Sequence, residues 1–191
     1  EQFGAKFISN KKNSLPLKIL GSEYLKPINY FEKRGSAQCK SSVILAALNT
    51  PGKTTIVAKK SRNHTELLLK HLKLPIKVLK KKKYDLIEIT GQKQFKSFDY
   101  VIPGDMSSSA FFIVLTLLSK NSKLKIKNVN INPSRVGFIK IINKMGAKVK
   151  FKNKRNNFGE EIADTCVFSR KNFKAINCPV ELNSNAIDEF L

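Results

Sequence analysis

Acidic residues, cysteine, histidine and long apolar runs are all scarce in this sequence, and each scarcity closes off a class of function. Only 14 Asp plus Glu stand against 36 Lys plus Arg, a formal charge of +22, which points away from cationic partners and toward anionic ones. The excess is nearly all Lys and comes with heavy use of Ile and Asn. That is the mixture an AT-rich coding sequence produces, so the size of the charge says less than its sign. The three cysteines, Cys39, Cys166 and Cys178, form no CxxC or Cys/His cluster, which argues against a disulfide framework or a zinc site and for a reducing cytoplasm. With two histidines in the chain, a metal role for His64 is not supported. The longest apolar run, Ala110 to Leu118, is far shorter than the ~18 residues of a membrane span, and no signal segment opens the chain. P-loop, GxGxxG, GxSxG and HExxH patterns are all missing, and with them the signals for nucleotide hydrolysis, dinucleotide binding, serine hydrolysis and zinc proteolysis.

What remains is a chain of 191 residues, 41% hydrophobic, apolar enough for one or two domains with a core and too apolar for a disordered tail. It begins with Glu1 rather than Met and stops at Leu191 in the expected first turn of a helix. Both ends are expected to be cut.

A repeat runs through it. Phe3-Gly4-Ala5-Lys6-Phe7, Leu74-Pro75-Ile76-Lys77-Val78 and Met145-Gly146-Ala147-Lys148-Val149 each lead into a strand, and a second strand follows. Next comes Leu or an aromatic before Lys, at Leu25-Lys26, Phe95-Lys96 and Phe173-Lys174. About ten residues on stands a small polar cluster: Gly35-Ser36-Ala37-Gln38, Gly104-Asp105-Met106-Ser107-Ser108, and Asn183-Ser184-Asn185-Ala186-Ile187-Asp188. After the first two clusters the apolar segments Val43 to Leu48 and Ala110 to Leu118 read as helices buried on all sides. Strands at Thr54 to Ala58 and Lys123 to Val129 follow. The pairs Ser61-Arg62 and Ser134-Arg135 then precede amphipathic helices at Glu66 to Leu72 and Phe138 to Met145. Tyr84 to Thr90 and Phe98 to Ile102 alternate as strands with one wet face.

The unit is strand, buried helix, strand, amphipathic helix, strand, strand, and such units bury their apolar helix only by association. A chain cut in mid-unit should therefore expose apolar helix faces. The Pro103-Gly104 turn marks the expected boundary between two partial domains, 1–103 and 104–191.

Chemistry concentrates where the polar clusters open the helices, because helix N-termini carry unpaired N–H groups that attract anions. Ser36 and Gln38, with Asp105, Ser107 and Ser108, offer donors to a phosphate or carboxylate; the plainer reading of the same residues is N-capping. Arg62 and Arg135 are two of only five arginines in the chain, and guanidinium grips phosphate bidentately where Lys cannot. For Arg135 a surface or structural pairing is expected. Asp188 supplies a carboxylate that reads as a helix cap or as a general base. Lys80 to Lys83 reads as a solvated turn.

Six ordered motifs carry a resemblance. Gly35-Ser36-Ala37-Gln38-Cys39-Lys40-Ser41, Pro51-Gly52-Lys53-Thr54-Thr55, Ser61-Arg62-Asn63-His64-Thr65-Glu66, the Ile102 to Phe112 stretch, Asn132-Pro133-Ser134-Arg135-Val136-Gly137-Phe138 and Ile187-Asp188-Glu189 resemble the 3-phosphoshikimate 1-carboxyvinyltransferase (5-enolpyruvylshikimate-3-phosphate synthase) family, in its bacterial Ser-Ala-Gln variety. The resemblance implies an α/β, inside-out, enolpyruvyl transferase-like fold of βαβαββ units with helices packed inside. It implies transfer of an enolpyruvyl group from phosphoenolpyruvate to the 5-hydroxyl of shikimate 3-phosphate, by addition, protonation and loss of phosphate, on the shikimate pathway to chorismate and aromatic amino acids. No cofactor or metal is implied, nor a nucleic-acid or membrane partner, and the full-length enzyme is expected to be a cytoplasmic monomer.

Carried over by position, Ser36, Ala37 and Gln38 bind shikimate 3-phosphate, with Gln38 also near phosphoenolpyruvate. Ser61 and Arg62 grip the 3-phosphate. Asp188 accepts the proton and contacts the ring hydroxyls, and the Gly104-Asp105 turn matches the crossover around which the family's cleft closes. The family's N-terminal Lys-Ser and Arg, its Gly-rich phosphoenolpyruvate loop and its late Lys-Glu-Arg segment have no counterpart in this sequence, so an internal fragment, inactive alone, is expected. Two other readings stand beside this one. The first is enolpyruvyl transfer to UDP-N-acetylglucosamine on the same fold, disfavoured by the Ser-Ala-Gln and Ser-Arg motifs. The second is a basic nucleic-acid-binding module, disfavoured because Lys is spread over every unit instead of gathered on one face.

Overall fold

The structure is a computed structural model that describes residues 1–9, 14–91, 95–183 and 185–189. Two compact units divide the chain, Glu1–Ser97 and Phe98–Leu191.

In the first unit, β1 (Lys6–Ser9) and β2 (Leu17–Leu20) form an antiparallel pair. A complete repeat follows: β3 (Asn29–Glu32), α1 (Ala37–Leu48), β4 (Lys53–Lys59), α2 (His64–His71), β5 (Ile76–Lys80) and β6 (Tyr84–Thr90). Its sheet has the order β3-β4-β6-β5, with β3 and β4 parallel and the other pairs antiparallel. Thr54, Ile56 and Ala58 alternate into the interior from β4, as the period of a strand requires. Ile56 and Ala58 meet Ile44, Ala47 and Leu48 of α1 and Ile87 and Ile89 of β6. Lys81 to Lys83 form the exposed turn between β5 and β6.

The second unit runs α3 (Met106–Leu118), β7 (Lys123–Asn130), α4 (Gly137–Lys144), β8 (Lys150–Asn157), β9 (Glu160–Phe168), a short α5 (Val180–Asn183) and a 3-10 turn at Ile187–Glu189. Its sheet order is β7-β9-β8. Met106, Ile113 and Leu117 of α3 pack with Val129, Phe138, Ile142 and Val167. On α4, Lys140, Asn143 and Lys144 point to solvent while Phe138, Ile139, Ile141 and Ile142 are buried, the expected amphipathic division.

Two expectations need correction. Phe98 to Ile102 is not a strand. The first strand of the second repeat shrinks to a single parallel bridge, Gly104 to Val129, in which the Gly104 amide donates to Asn128 O and the Asn130 amide to Gly104 O. Residues before Gly104 would have to pair along Lys125 to Asn128, where β7 shifts register and Asn128 takes a positive φ of 58°. A bulged edge offers no continuous ladder. Instead Tyr100 meets the Phe158 ring edge-on and Phe98 packs against it at a tilt, and Asn157 Nδ2 donates to Val101 O.

Nor are the apolar helices buried on all sides. Phe111, Phe112, Leu115 and Leu118 of α3 are 60–69% exposed, and Leu45 of α1 is 54% exposed. Each helix has a sheet on one flank, and a single sheet covers a single stripe of a helix.

Candidate functional site

In the first unit, the parallel pairing of β3 with β4 decides what meets what. Glu32 lies opposite Ala58, so the chain leaves both strands at the same end of the sheet, where open α/β sheets hold ligands. The two loops emerging there carry Ser36-Ala37-Gln38 and Ser61-Arg62. Their proximity is direct: a Cβ on Gly35 would lie 3.8 Å from Lys60 O. Gly35 has φ +78°, a conformation that favours glycine. The buried Glu32 carboxylate fixes the loop by accepting from the Arg34 amide at 2.9 Å and the Gly35 amide at 2.6 Å.

Ser36 is the N-cap of α1 and accepts from the Cys39 amide at 3.2 Å. The capping expectation is therefore met, and the hydroxyl proton still remains to donate elsewhere. Ala37 is half-buried and Gln38 exposed at the first turn. Across the loop, the Ser61 hydroxyl oxygen is shielded from solvent and makes no hydrogen bond. Arg62 is half-buried, and its carbonyl accepts from the Lys40 ammonium at 2.8 Å. Lys40 is 1% exposed and lies 2.6 Å from Glu66, in the first turn of α2. Ser41 and Thr65 form a second polar link between the two helices, hydroxyl to hydroxyl at 2.7 Å.

The second unit arranges its polar cluster differently. Asp105 caps α3, accepting from the Ser108 amide at 2.8 Å and the Ser108 hydroxyl at 3.0 Å. Burial works against its ionisation, but the Ser108 amide, the Arg135 guanidinium and the Ser108 hydroxyl together outweigh it and hold the carboxyl below its usual range. At this helix start the chain supplies a negative charge of its own. The anion there is Asp105 itself.

Arg135 makes the expected structural pairing, and its partners include a predicted site residue. Its guanidinium donates to Asp105 at 2.5 Å, to Ser107 Oγ at 2.7 Å and to Asp188 at 3.4 Å. Asp188 sits in the 3-10 turn and meets Arg135 because Gly137 lets the chain in. A Cβ there would fall 2.6 Å from Asn185 O, closer than backbone and side chain can approach. The Ser134-Arg135 turn is built by Asn132, whose side-chain oxygen accepts from the Ser134 amide and hydroxyl while its nitrogen donates to Glu160. Ser184, in the third polar cluster, and the helix turn expected at Leu191 lie outside the described residues.

No site role attaches to Lys40, Glu66, Asn132 or Glu32 from the sequence motifs alone. Lys40 had a signal: it stands four and eight residues before Ile44 and Leu48, on the stripe that faces the sheet.

A family model described as EPSP synthase (3-phosphoshikimate 1-carboxyvinyltransferase) matches residues 1–183. The chain belongs to the EPSP synthase family. A 3-phosphoshikimate 1-carboxyvinyltransferase of Caldicellulosiruptor bescii is 44% identical over 161 residues, 83% of this chain and 37% of the relative. That of Paramagnetospirillum magneticum is 35% identical over 191 residues, 99% of this chain and 43% of the relative. The chain thus spans about two-fifths of the length of the curated relatives it matches. Among solved structures, EPSP synthase from Acinetobacter baumannii superposes with a TM-score of 0.83 at 33% identity, covering 98% of this chain and 42% of that one. The enolpyruvyl transferase NikO from Streptomyces tendae, 12% identical, has a TM-score of 0.61 and shares the fold. The mixed α/β, enolpyruvyl transferase-like architecture expected from the motifs is the one this family adopts.

Proposed function

We propose that this chain forms part of a 3-phosphoshikimate 1-carboxyvinyltransferase, which transfers the enolpyruvyl group of phosphoenolpyruvate to the 5-hydroxyl of shikimate 3-phosphate. The observation that carries the reading is the parallel β3–β4 pair, which brings Ser36-Ala37-Gln38 and Ser61-Arg62 to one end of one sheet. An α1 N-terminus, two serine hydroxyls, an amide and a guanidinium suit a phosphorylated sugar-like acid. Ser61 and Arg62 grip the 3-phosphate; Ser36, Ala37 and Gln38 hold the rest of shikimate 3-phosphate. Residues 1–103 belong to the domain that grips it and 104–191 begin the second.

Asp188 takes the proton of the 5-hydroxyl as its oxygen bonds to C2 of phosphoenolpyruvate. Protonation of C3 in the same addition gives a tetrahedral intermediate with a C3 methyl; loss of a proton from that methyl, with cleavage of the C2–O bond, then re-forms the enol double bond and releases phosphate. The enzyme works in the cytoplasm, as a monomer when full length, with no nucleic acid or membrane as partner. Among the described residues no helix is long and apolar enough to cross a membrane.

The test is a chimaera in which residues 1–191 replace the matching segment of the Paramagnetospirillum magneticum relative, assayed for phosphate release from phosphoenolpyruvate. Release with shikimate 3-phosphate is expected. Release with UDP-N-acetylglucosamine alone, or with neither, overturns the reading. In that chimaera Asp188→Asn should lower turnover by about 100- to 10,000-fold, the usual contribution of a general base.

A further inference from the structure

We propose that Lys40 and Glu66 are positioning residues that hold the Ser61-Arg62 turn in place for anion binding, an inference that rests on the reading of Arg62 as the phosphate-gripping residue. The pair is buried, 1% and 5% exposed, and joins α1 to α2. The same ammonium donates to Arg62 O, so the turn is tied to α1 one helical turn beyond Ser36.

The second unit provides an internal control. Counted from the N-caps Ser36 and Asp105, Lys40 corresponds to Ser109; counted from Arg62 and Arg135, Glu66 corresponds to Ile139. Ser109 and Ile139 are equally buried, at 6% and 2%. The link between Ser41 and Thr65 likewise becomes Ala110 and Phe138. At these positions the fold therefore accepts a small hydroxyl and an aliphatic side chain, and a buried ion pair is not a requirement of the architecture.

Stability does not account for the pair either. Apolar residues of similar volume commonly replace buried ion pairs at no loss. This pair is also incompletely satisfied, because the second Glu66 oxygen is shielded and has no hydrogen-bond partner. What the pair supplies, and Ser109 and Ile139 do not, is a directed bond to the backbone of the Ser-Arg turn. In the second unit that turn is built by Asn132, and its arginine is engaged by carboxylates. Orienting a guanidinium before the anion arrives avoids ordering it on binding.

The test compares the 191-residue chain with its Lys40→Met/Glu66→Leu double variant, which gives this site the apolar character of the second unit. The readouts are thermal unfolding, 15N relaxation, and titration with shikimate 3-phosphate. The double variant should unfold near the parent temperature. Order parameters at Arg62 to His64 should fall from about 0.85 toward 0.6, and affinity for shikimate 3-phosphate should drop by about tenfold or more. A folded double variant with unchanged order parameters, or with looser ones but unchanged affinity, overturns the proposal. Should the double variant not fold, Glu66→Gln is read by the same criteria. Arg62→Lys separates the two claims: if it binds shikimate 3-phosphate as the parent does, the phosphate-grip reading fails, whatever the relaxation data say about the turn.

Discussion

The two Ser-Arg turns occupy the same place in the repeat, two residues before an amphipathic helix, and they are anchored differently. Arg62 has its backbone anchored by a buried lysine. Arg135 has its guanidinium engaged by Asp105, Ser107 and Asp188. One architecture thus holds one arginine turn through a main-chain carbonyl and the other through the guanidinium. The repeat dictates where a polar side chain can stand, and a few substitutions at buried positions, Lys40 against Ser109 and Glu66 against Ile139, decide its purpose. The helix starts follow the same contrast, since Ser36 caps with a hydroxyl and Asp105 with a carboxylate that supplies negative charge of its own.

The largest disturbance of this contrast comes from breaking one side of the buried pair. Lys40→Met alone leaves Glu66 shielded and unpaired, and should destabilise the first unit by about 3–5 kcal/mol, seen as an earlier urea transition. The double variant should restore most of that loss, which separates the cost of an orphaned charge from the worth of the pair. Next in size is Asn132→Ala in the second unit. It removes the hydrogen bonds that Asn132 makes to the Ser134 amide and to the buried Glu160, and should cost about 1–3 kcal/mol while leaving the relaxation of the Arg62 turn unchanged.

The smallest effect should appear in acid. Hydrogen bonds from Lys125 and Asn153 lower the Asp164 carboxyl to about 2 against the opposing effect of burial, with help from the Asn128 amide. A depressed folded value means stabilisation that is complete above the unfolded value of about 3.9 and lost as pH falls toward 2. Asp164→Asn should therefore flatten the acid limb of the second unit's stability between about pH 4 and pH 2, as followed by unfolding at a series of pH values. An unchanged limb would separate Asp164 from the acid response of this unit.

Much of this was legible in the residues. The order of elements follows from periodicity: alternation in Tyr84 to Thr90 became β6 without adjustment, and three- and four-residue spacing gave α2 and α4 within a few residues. The candidate site residues of the first unit were legible as motifs. That the loops carrying Ser36 and Arg62 lie side by side was not, because a parallel pairing between strands 26 residues apart in register (Tyr30 to Ile56 is one such partner step) is a contact that no local pattern records. Phe98 to Ile102 alternates like a strand yet finds no ladder, since its would-be partner bulges at Asn128. Lys40 reads as one more lysine in a lysine-rich chain until the register of α1 is set against a sheet.

The sequence by itself determined the repeat, the caps at Ser36 and Asp105 and the kinds of side chain available to a phosphorylated ligand, because these depend on residue type and on spacing along the chain. Tertiary structure alone decided which lysine is buried, which arginine meets carboxylates, and that Gly137 admits Asn185 closely enough to bring Asp188 to Arg135. Burial and partnership depend on what packs against an element, and that is settled only when strands and helices distant in sequence share one core.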